Sequence, residues 1–249
     1  MFQSKTVIVT GSGAGIGRSA AIAFARQGAN VVVNSVSDSG RYVRDEIQKE
    51  GLSVLFVQAD VSSADGAAAI ADLTVKNFGG IDILVNNAGI VSNGDIEQTT
   101  ESEWDKAMAV NVKSVFLMSK LCLPYLRKSR GVIINTTSAA AIKGVVNRAV
   151  YSATKGAVLS LSRAMAQDYI KEGIRVNCIC PGTVLTPSFE ARVNGYTDPE
   201  KAMQNFVERQ PMGRLGTPEE IAEAIIFASS GNVSFMTGAH IVVDGGMTI

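Results

Sequence analysis

Tyr151 and Lys155 stand four residues apart in Tyr151-Ser-Ala-Thr-Lys155, and Ser138 lies thirteen positions upstream. A spacing of four puts phenol and ammonium on one helix face, one turn apart. A cation beside a phenol favours the phenolate and lowers its pKa from about 10 toward the working pH. A phenol tuned that way is a general acid–base, and Ser138 could hydrogen-bond the same substrate oxygen. Near the amino end, Thr10-Gly-Ser-Gly-Ala-Gly-Ile-Gly17 is a glycine-rich turn between an apolar run and a helical pattern. Glycines there let the backbone approach a pyrophosphate, which the helix N-terminus stabilises. One end is fit to hold a dinucleotide and the other to move a proton. The expected chemistry is hydride transfer between a nicotinamide and a carbonyl or alcohol.

The spacing of Gly11, Gly15 and Gly17 is G-x-x-x-G-x-G, not G-x-G-x-x-G. It is not a P-loop either, because Ser12 and Arg18 stand where that motif needs glycine and lysine. The residues after the second strand should choose between NAD and NADP, since an acid there repels a 2′-phosphate. This chain has Asn34-Ser35-Val36-Ser37. Ser35 occupies the expected acidic position, and the hydroxyls of Ser35 and Ser37 could bond a phosphate. Ala14 and Val36 stand where a cation for that phosphate is usual, and Arg41 could reach it only from the next helix. NADP is the favoured reading and NAD the alternative. Asp60-Val61, after the third strand, is placed to hold the adenine edge; a plain helix cap is the other reading of Asp60.

The elements that must position these groups are legible from periodicity. Apolar β-branched runs at residues 6–10, 30–34, 53–58, 81–86, 132–136, 174–179 and 239–243 are the expected strands. Helical patterns fall at 15–27, 38–50, 64–78, 101–128, 150–172 and 219–229. Pro124 is expected to bend the fourth helix or divide it, and Thr217 with Pro218 to start the last. Continuous apolar strands with helical crossovers imply a doubly wound α/β fold: seven parallel strands with helices on both faces. No linker or repeat divides the chain, so residues 1–249 are expected to form a single domain. Residues 183–216 break the rhythm with Pro187, Gly195, Pro199, Pro211 and Gly213. They leave the carboxyl end of the sixth strand, where ligands bind in open α/β sheets, so they are the expected substrate lid. An ordinary surface insertion is the alternative.

The 249 residues include 23 basic and 23 acidic side chains, a net charge of zero, and no basic block. Nucleic acid and anionic membrane are therefore not expected partners, and no apolar run is expected to span a membrane. Charged residues make up 18% of the chain, low enough to point to surface buried between subunits. Cys122, Cys178 and Cys180 lack framework spacing and fit buried thiols in a cytoplasmic protein. His240 is the one histidine. A Ser–His–Asp triad and a multi-histidine zinc site are not expected, and no metal site is assigned.

Thr10-Gly-x-x-x-Gly-Ile-Gly17, Asn86-Asn-Ala-Gly89, Asn111, Ser138, Tyr151-x-x-x-Lys155 and Pro181-Gly182 together resemble the short-chain dehydrogenase/reductases over essentially the full length. The resemblance implies a Rossmann-type fold, usually a homotetramer, and catalytic roles for Asn111, Ser138, Tyr151 and Lys155. It makes Tyr151 the acid–base and Ser138 the group that positions the carbonyl. It has Lys155 bind the nicotinamide ribose and lower the tyrosine pKa, and Asn111 hold a water in the proton relay. Gly11, Gly15, Ile16 and Gly17, with Asn86, Ala88, Gly89, Pro181, Gly182 and Thr186, are the implied cofactor-site residues. Thr186 would meet the carboxamide.

Ile142-Lys-Gly-Val-Val-Asn-Arg-Ala-Val-Tyr151 and Cys180-Pro-Gly-Thr-Val-Leu-Thr-Pro-Ser188 resemble the type 2 3-hydroxybutyrate dehydrogenases and, equally, the 2-keto-3-deoxy-L-fuconate dehydrogenases. Both groups act on small hydroxy or keto acids. They typically carry an aspartate after the second strand and use NAD, and this chain departs from them there. Arg148, Arg192 and Arg209 are the candidate substrate residues, because guanidinium forks suit carboxylates. Solvated or subunit-contact arginines are the other reading. A small hydroxy acid, keto acid or sugar acid is the expected substrate. A 3-oxoacyl-[acyl-carrier-protein] reductase using NADPH, for which Pro211-Met-Gly-Arg-Leu-Gly216 is suggestive, and a sugar or polyol dehydrogenase are the alternatives. A cofactor-binding protein without turnover is disfavoured by the intact Ser138, Tyr151 and Lys155.

Overall fold

The computed structural model describes residues 1–249. Its strands are β1 (Thr6–Val9), β2 (Asn30–Ser35), β3 (Val54–Gln58), β4 (Ile83–Asn86), β5 (Val132–Thr136), β6 (Arg175–Pro181) and β7 (His240–Val243). They form one parallel sheet of order β3-β2-β1-β4-β5-β6-β7. The helices are α1 (Gly15–Arg26), α2 (Ser39–Lys49), α3 (Ala64–Phe78), α4 (Glu101–Met108), α5 (Ser114–Ser129), α6 (Ala149–Tyr169), α7 (Pro187–Asn194), α8 (Pro199–Glu208) and α9 (Pro218–Ser229). Strand order reverses at β1, which pairs with both β2 and β4. The glycine turn, Asn87–Gly89, Ser138 and Gly182 all follow carboxyl ends of strands. The topology alone gathers them on one edge.

Alternation along β1 sets the two layers. Val7 and Val9 pack with Phe24, Ile47 and Ile225 of α1, α2 and α9. Ile8 points the other way, to Ile70, Met118 and Met165 of α3, α5 and α6. Full burial of such a side chain stabilises the fold by about 1.5–3 kcal/mol. Helix ends follow local chemistry. Ser63 accepts from Gly66 N to start α3, and Gly79 ends it in the left-handed region. Thr217 and Glu220 form a capping box at α9, with Pro218 in its first turn.

Two expectations are corrected. Pro124 lies inside α5 and does not divide the long helix; the break is a π-helical turn, Ala109–Lys113, fifteen to eleven residues earlier. That wider turn carries Asn111, whose amide grips the Ile90 backbone, and such turns accompany functional positions. The helical stretch Glu101–Ser129 is also long and apolar enough, by length and composition, to cross a membrane. Packing accounts for its apolar residues: Met118, Cys122 and Leu126 are wholly buried in the core.

Between β6 and α9 the chain makes an excursion. Phe189 and Val193 of α7 meet Ala202 and Phe206 of α8 in a small core of their own. The two phenyl rings stack edge-on at 5.0 Å. A bridge between Val184 and Gly216 ties the base of the excursion.

Candidate active site

The glycine turn is pressed against the segment after β4. Gly11 and Gly15 have φ of +62° and +54°, a region that favours glycine. A Cβ on Gly11 would stand 2.7 Å from Ala88 Cα, and one on Gly15 would stand 3.1 Å from Thr186 Cγ2. Thr10 Oγ1 accepts from the backbone N–H groups of Asn87 and Ala88, which locks the two turns together. Gly17 does not line the cavity; its Cα faces Gly11 O and Asn87 Nδ2, each 2.5 Å from where a Cβ would be, so it is a packing glycine. Ala14 caps α1 with no side-chain hydrogen bond, and the first turn holds no acid.

A cavity of about 780 Å³ runs from this turn to Tyr151. Gly11, Gly15, Ile16, Ser35, Ser37, Asp60 and Val61 line one half, with Ala88, Gly89, Pro181, Gly182 and Thr186 along its course. Asn86 is a correction. It is buried below the floor, where Nδ2 donates to Asn135 Oδ1 at 2.8 Å, and Asn135 donates onward to Ser162. Asn87, the next residue, lines the cavity instead, because successive residues at a strand end face opposite ways. Ser35 Oγ donates to Ser37 O and accepts from Gly40 N, so its hydroxyl is committed to the start of α2. Arg41 is paired with Asp38 and Arg18 with Glu46. Asp60 accepts from Ser62 N and Oγ; the cap of α3 is Ser63, not Asp60.

The other half holds Ser138, Tyr151, Lys155, Arg148, Arg192 and Arg209. Ser138 follows β5 and accepts from Ala140 N. Tyr151 and Lys155 share a face of α6, as their spacing requires. Lys155 Nζ donates to Thr136 O at 2.9 Å and lies 5.8 Å from the Tyr151 ring centre. Burial without an anion pushes Lys155 down to about 8. Burial likewise raises Tyr151 above the ordinary phenol value, against the opposing pull of a hydrogen bond from Ser138 and the charges of Arg192 and Arg148. Arg192 and Arg148 are charges that favour the phenolate here, beyond the lysine that spacing alone points to. Asn111 is buried and does not line the cavity; it accepts from Ile90 N and donates to Ile90 O and Thr154 Oγ1. A Cβ on Gly89 would lie 3.3 Å from both Asn111 Oδ1 and Lys155 Nζ, so both groups crowd one face of Gly89.

The three arginines converge without counter-ions. Arg148 is 6% exposed and bonds only Asn147 O. Arg192 stacks on Phe189 and Phe206, and its buried Nε has no partner. Arg209 lies 4.5 Å from the Phe206 ring centre. None of the seven ion pairs includes them. Burial, then the Arg148 charge, holds Arg192 and Arg209 below the usual guanidinium range.

The family described as enoyl-(acyl carrier protein) reductase matches residues 11–248. The chain is a short-chain dehydrogenase/reductase. This short-chain dehydrogenase/reductase is 47% identical to an uncharacterized oxidoreductase of Thermotoga maritima, over 99% of this chain and 98% of the relative. It is 42% identical to a 2-keto-3-deoxy-L-fuconate dehydrogenase of Xanthomonas campestris, over 98% of this chain and 80% of the relative. An actinorhodin polyketide ketoreductase solved with NADPH superposes with a TM-score of 0.94 at 29% identity, covering 100% of this chain and 99% of that one. The protein is thus an NAD(P)-dependent oxidoreductase.

The residues present fit the dinucleotide that the short-chain dehydrogenase/reductases use. The uncapped, acid-free N-terminus of α1 leaves amides and the positive helix end for a pyrophosphate. Spacing did not reveal Thr136, whose carbonyl holds Lys155, or Phe189 and Phe206, on which Arg192 and Arg209 lie. Nor did it reveal Met247, which enters the cavity from the C-terminal end.

Proposed function

We propose that the enzyme interconverts a secondary alcohol and a ketone on a small hydroxy acid, keto acid or sugar acid at the Tyr151 end of the cavity. The observation that carries this reading is that Arg148, Arg192 and Arg209 share that chamber with Tyr151 and lack anionic partners. Arg148 is buried and Arg192 and Arg209 are half-buried, and cations so placed without counter-ions are costly unless a ligand brings the charge. A carboxylate does, and each charge-assisted bond contributes roughly 1.5–3 kcal/mol.

In this reading Ser138 and Tyr151 hold the substrate oxygen. Tyr151 gives its proton to a carbonyl in reduction and takes one from an alcohol in oxidation. Nicotinamide, when bound, supplies or accepts the hydride. Lys155 binds the nicotinamide ribose, and Asn111, whose amide is fully engaged with Ile90 and Thr154, positions the Ile90 backbone rather than holding a relay water. The excursion 183–216 acts as a lid, since it brings Arg192 and Arg209 over the chamber.

NADP is the favoured cofactor, because no carboxylate stands at Ser35 to repel a 2′-phosphate. Arg18 and Arg41 are held by acids, so the preference over NAD is expected to be modest, about tenfold or less. Exposed Val242 in the edge strand β7, with exposed Phe235 and Ile249 on either side of it in the chain, favours a subunit contact there, as a homotetramer requires. Three buried free thiols suit the cytoplasm.

The test is kcat/KM for a keto acid against its primary amide. A drop of about 100-fold on neutralising the carboxylate is expected, and equal rates would reject the reading. The runner-up, a 3-oxoacyl thioester, draws its support from the family's acyl-carrier description. It would win if an acetoacetyl thioester were reduced and free acids were not.

A further inference from the structure

The chain ends in a tight hook. Asp244 accepts from Gly246 N and Thr248 N, both at 2.9 Å. The hook is anchored at both stems of the lid: Gly182 N donates to Val243 O, and Met212 N donates to Gly245 O. A Cβ on Gly182 would stand 2.7 Å from Asp244 Cα, so β6 and the hook are in backbone contact. A third tie comes from the Ser138 loop. Lys143, five residues after Ser138, reaches across and its Nζ donates to Met247 O at 2.6 Å. Lys143 takes part in no ion pair. Met247 itself is 8% exposed and lines the cavity. Its tethers, Lys143 on one side and the lid stem on the other, put it at the Tyr151 end. A methionine there is a deformable wall whose place depends on its backbone.

We propose that Lys143 is a positioning residue: by clamping the Met247 carbonyl it fixes Met247 as a wall of the substrate chamber and so sets the length of substrate accepted. This rests on the reading that the Tyr151 end receives a small acid. Lys143 makes no hydrogen bond to Tyr151 or the arginines; its one side-chain bond is to Met247, so it acts through that residue.

The test uses the full-length enzyme, with unbranched keto acids of increasing chain length and a parallel series of neutral methyl ketones. Lys143→Met should raise KM for the shortest good substrate about tenfold with kcat within about twofold. It should lower the short-over-long ratio of kcat/KM at least about fivefold, leaving NADPH affinity unchanged. Lys143→Arg, which keeps a donor, should restore the ratio. Met247→Ala should relax the ratio in the same sense, and adding Lys143→Met to it should change nothing further, as for two residues acting through one contact. An unchanged ratio in Lys143→Met, or additive effects in the double variant, overturns the proposal. The length ratio is read in whichever series is turned over. Turnover of ketones without acids would defeat the acid reading while still testing Lys143. Turnover of neither by the wild type would overturn both.

Discussion

Lys155 Nζ donates to the Thr136 carbonyl at 2.9 Å and stands 5.8 Å from the Tyr151 ring centre. The lysine is thus held by β5 beside the Tyr151 ring, and burial lowers it to about 8. A dinucleotide that needs the ammonium must bind the protonated form. Above pH 8 that form shrinks tenfold per pH unit, so NADPH affinity should be about tenfold weaker at pH 9 than well below pH 8. Titration of NADPH fluorescence across pH 7–9.5 measures this. Lys155→Met should bind weakly and without that slope; an equally steep slope in the variant would refute the role.

Arg192 and Arg148 are the charges that favour the Tyr151 phenolate. Arg192→Leu should reduce kcat/KM for an acid by about 10–100-fold while NADPH affinity stays within about twofold. Removing a cation raises the phenol further. Alcohol oxidation needs the deprotonated phenol, so its pH–rate profile should move to higher pH. A profile that stays in place would show that Arg192 does not act on Tyr151.

Stability should fall in mild alkali. Burial raises Cys122 and Cys178 from 9.0 to about 12. Between those values the folded state keeps protons that the unfolded state loses, and stability drops as pH rises. Lys155, lowered from 10.5 to about 8, works in the opposite sense over pH 8 to 10.5. Burial raises Cys180 as well, so three thiols outweigh one ammonium, and urea unfolding should lose roughly 1–2 kcal/mol from pH 9 to 10. Cys122→Ala should flatten that step, and an unchanged step would contradict the assignment.

Two glycines should respond oppositely to alanine. A Cβ on Gly182 would meet Asp244 Cα at 2.7 Å and Asp244 O at 2.8 Å, both backbone. Gly182→Ala should cost about 1–3 kcal/mol and depress activity by displacing the hook. Gly156 is inside α6 with nothing within 4 Å of its Cβ position. Gly156→Ala should stabilise by about 0.5–1 kcal/mol. Thermal melts of both variants decide it.

Periodicity and punctuation made the sheet legible, because a strand buried on both faces must be apolar throughout. Thr217-Pro218 and Gly79 declared their helix ends through cap chemistry. Pro124 misled, because a proline is tolerated in α5 while the true break, around Asn111, serves a tertiary contact that local sequence does not encode. Asn86 misled for a related reason: a motif names both asparagines, but the pleat sends one down to Asn135 and the other to the cavity. The tyrosine–lysine spacing correctly placed both groups on one face. It could not show that Thr136 accepts from the ammonium or that Arg192, from the distant excursion after β6, acts on the phenol.

In the proposed reaction Tyr151 trades the proton while the arginines hold the acid. The most direct measurement of this is Tyr151→Phe, with turnover of a keto acid and binding of that acid to the NADPH-loaded enzyme followed side by side. The variant's kcat should be lower by about 10²–10⁴-fold with acid affinity nearly unchanged. A folded variant that keeps most of its turnover would contradict the role given to Tyr151.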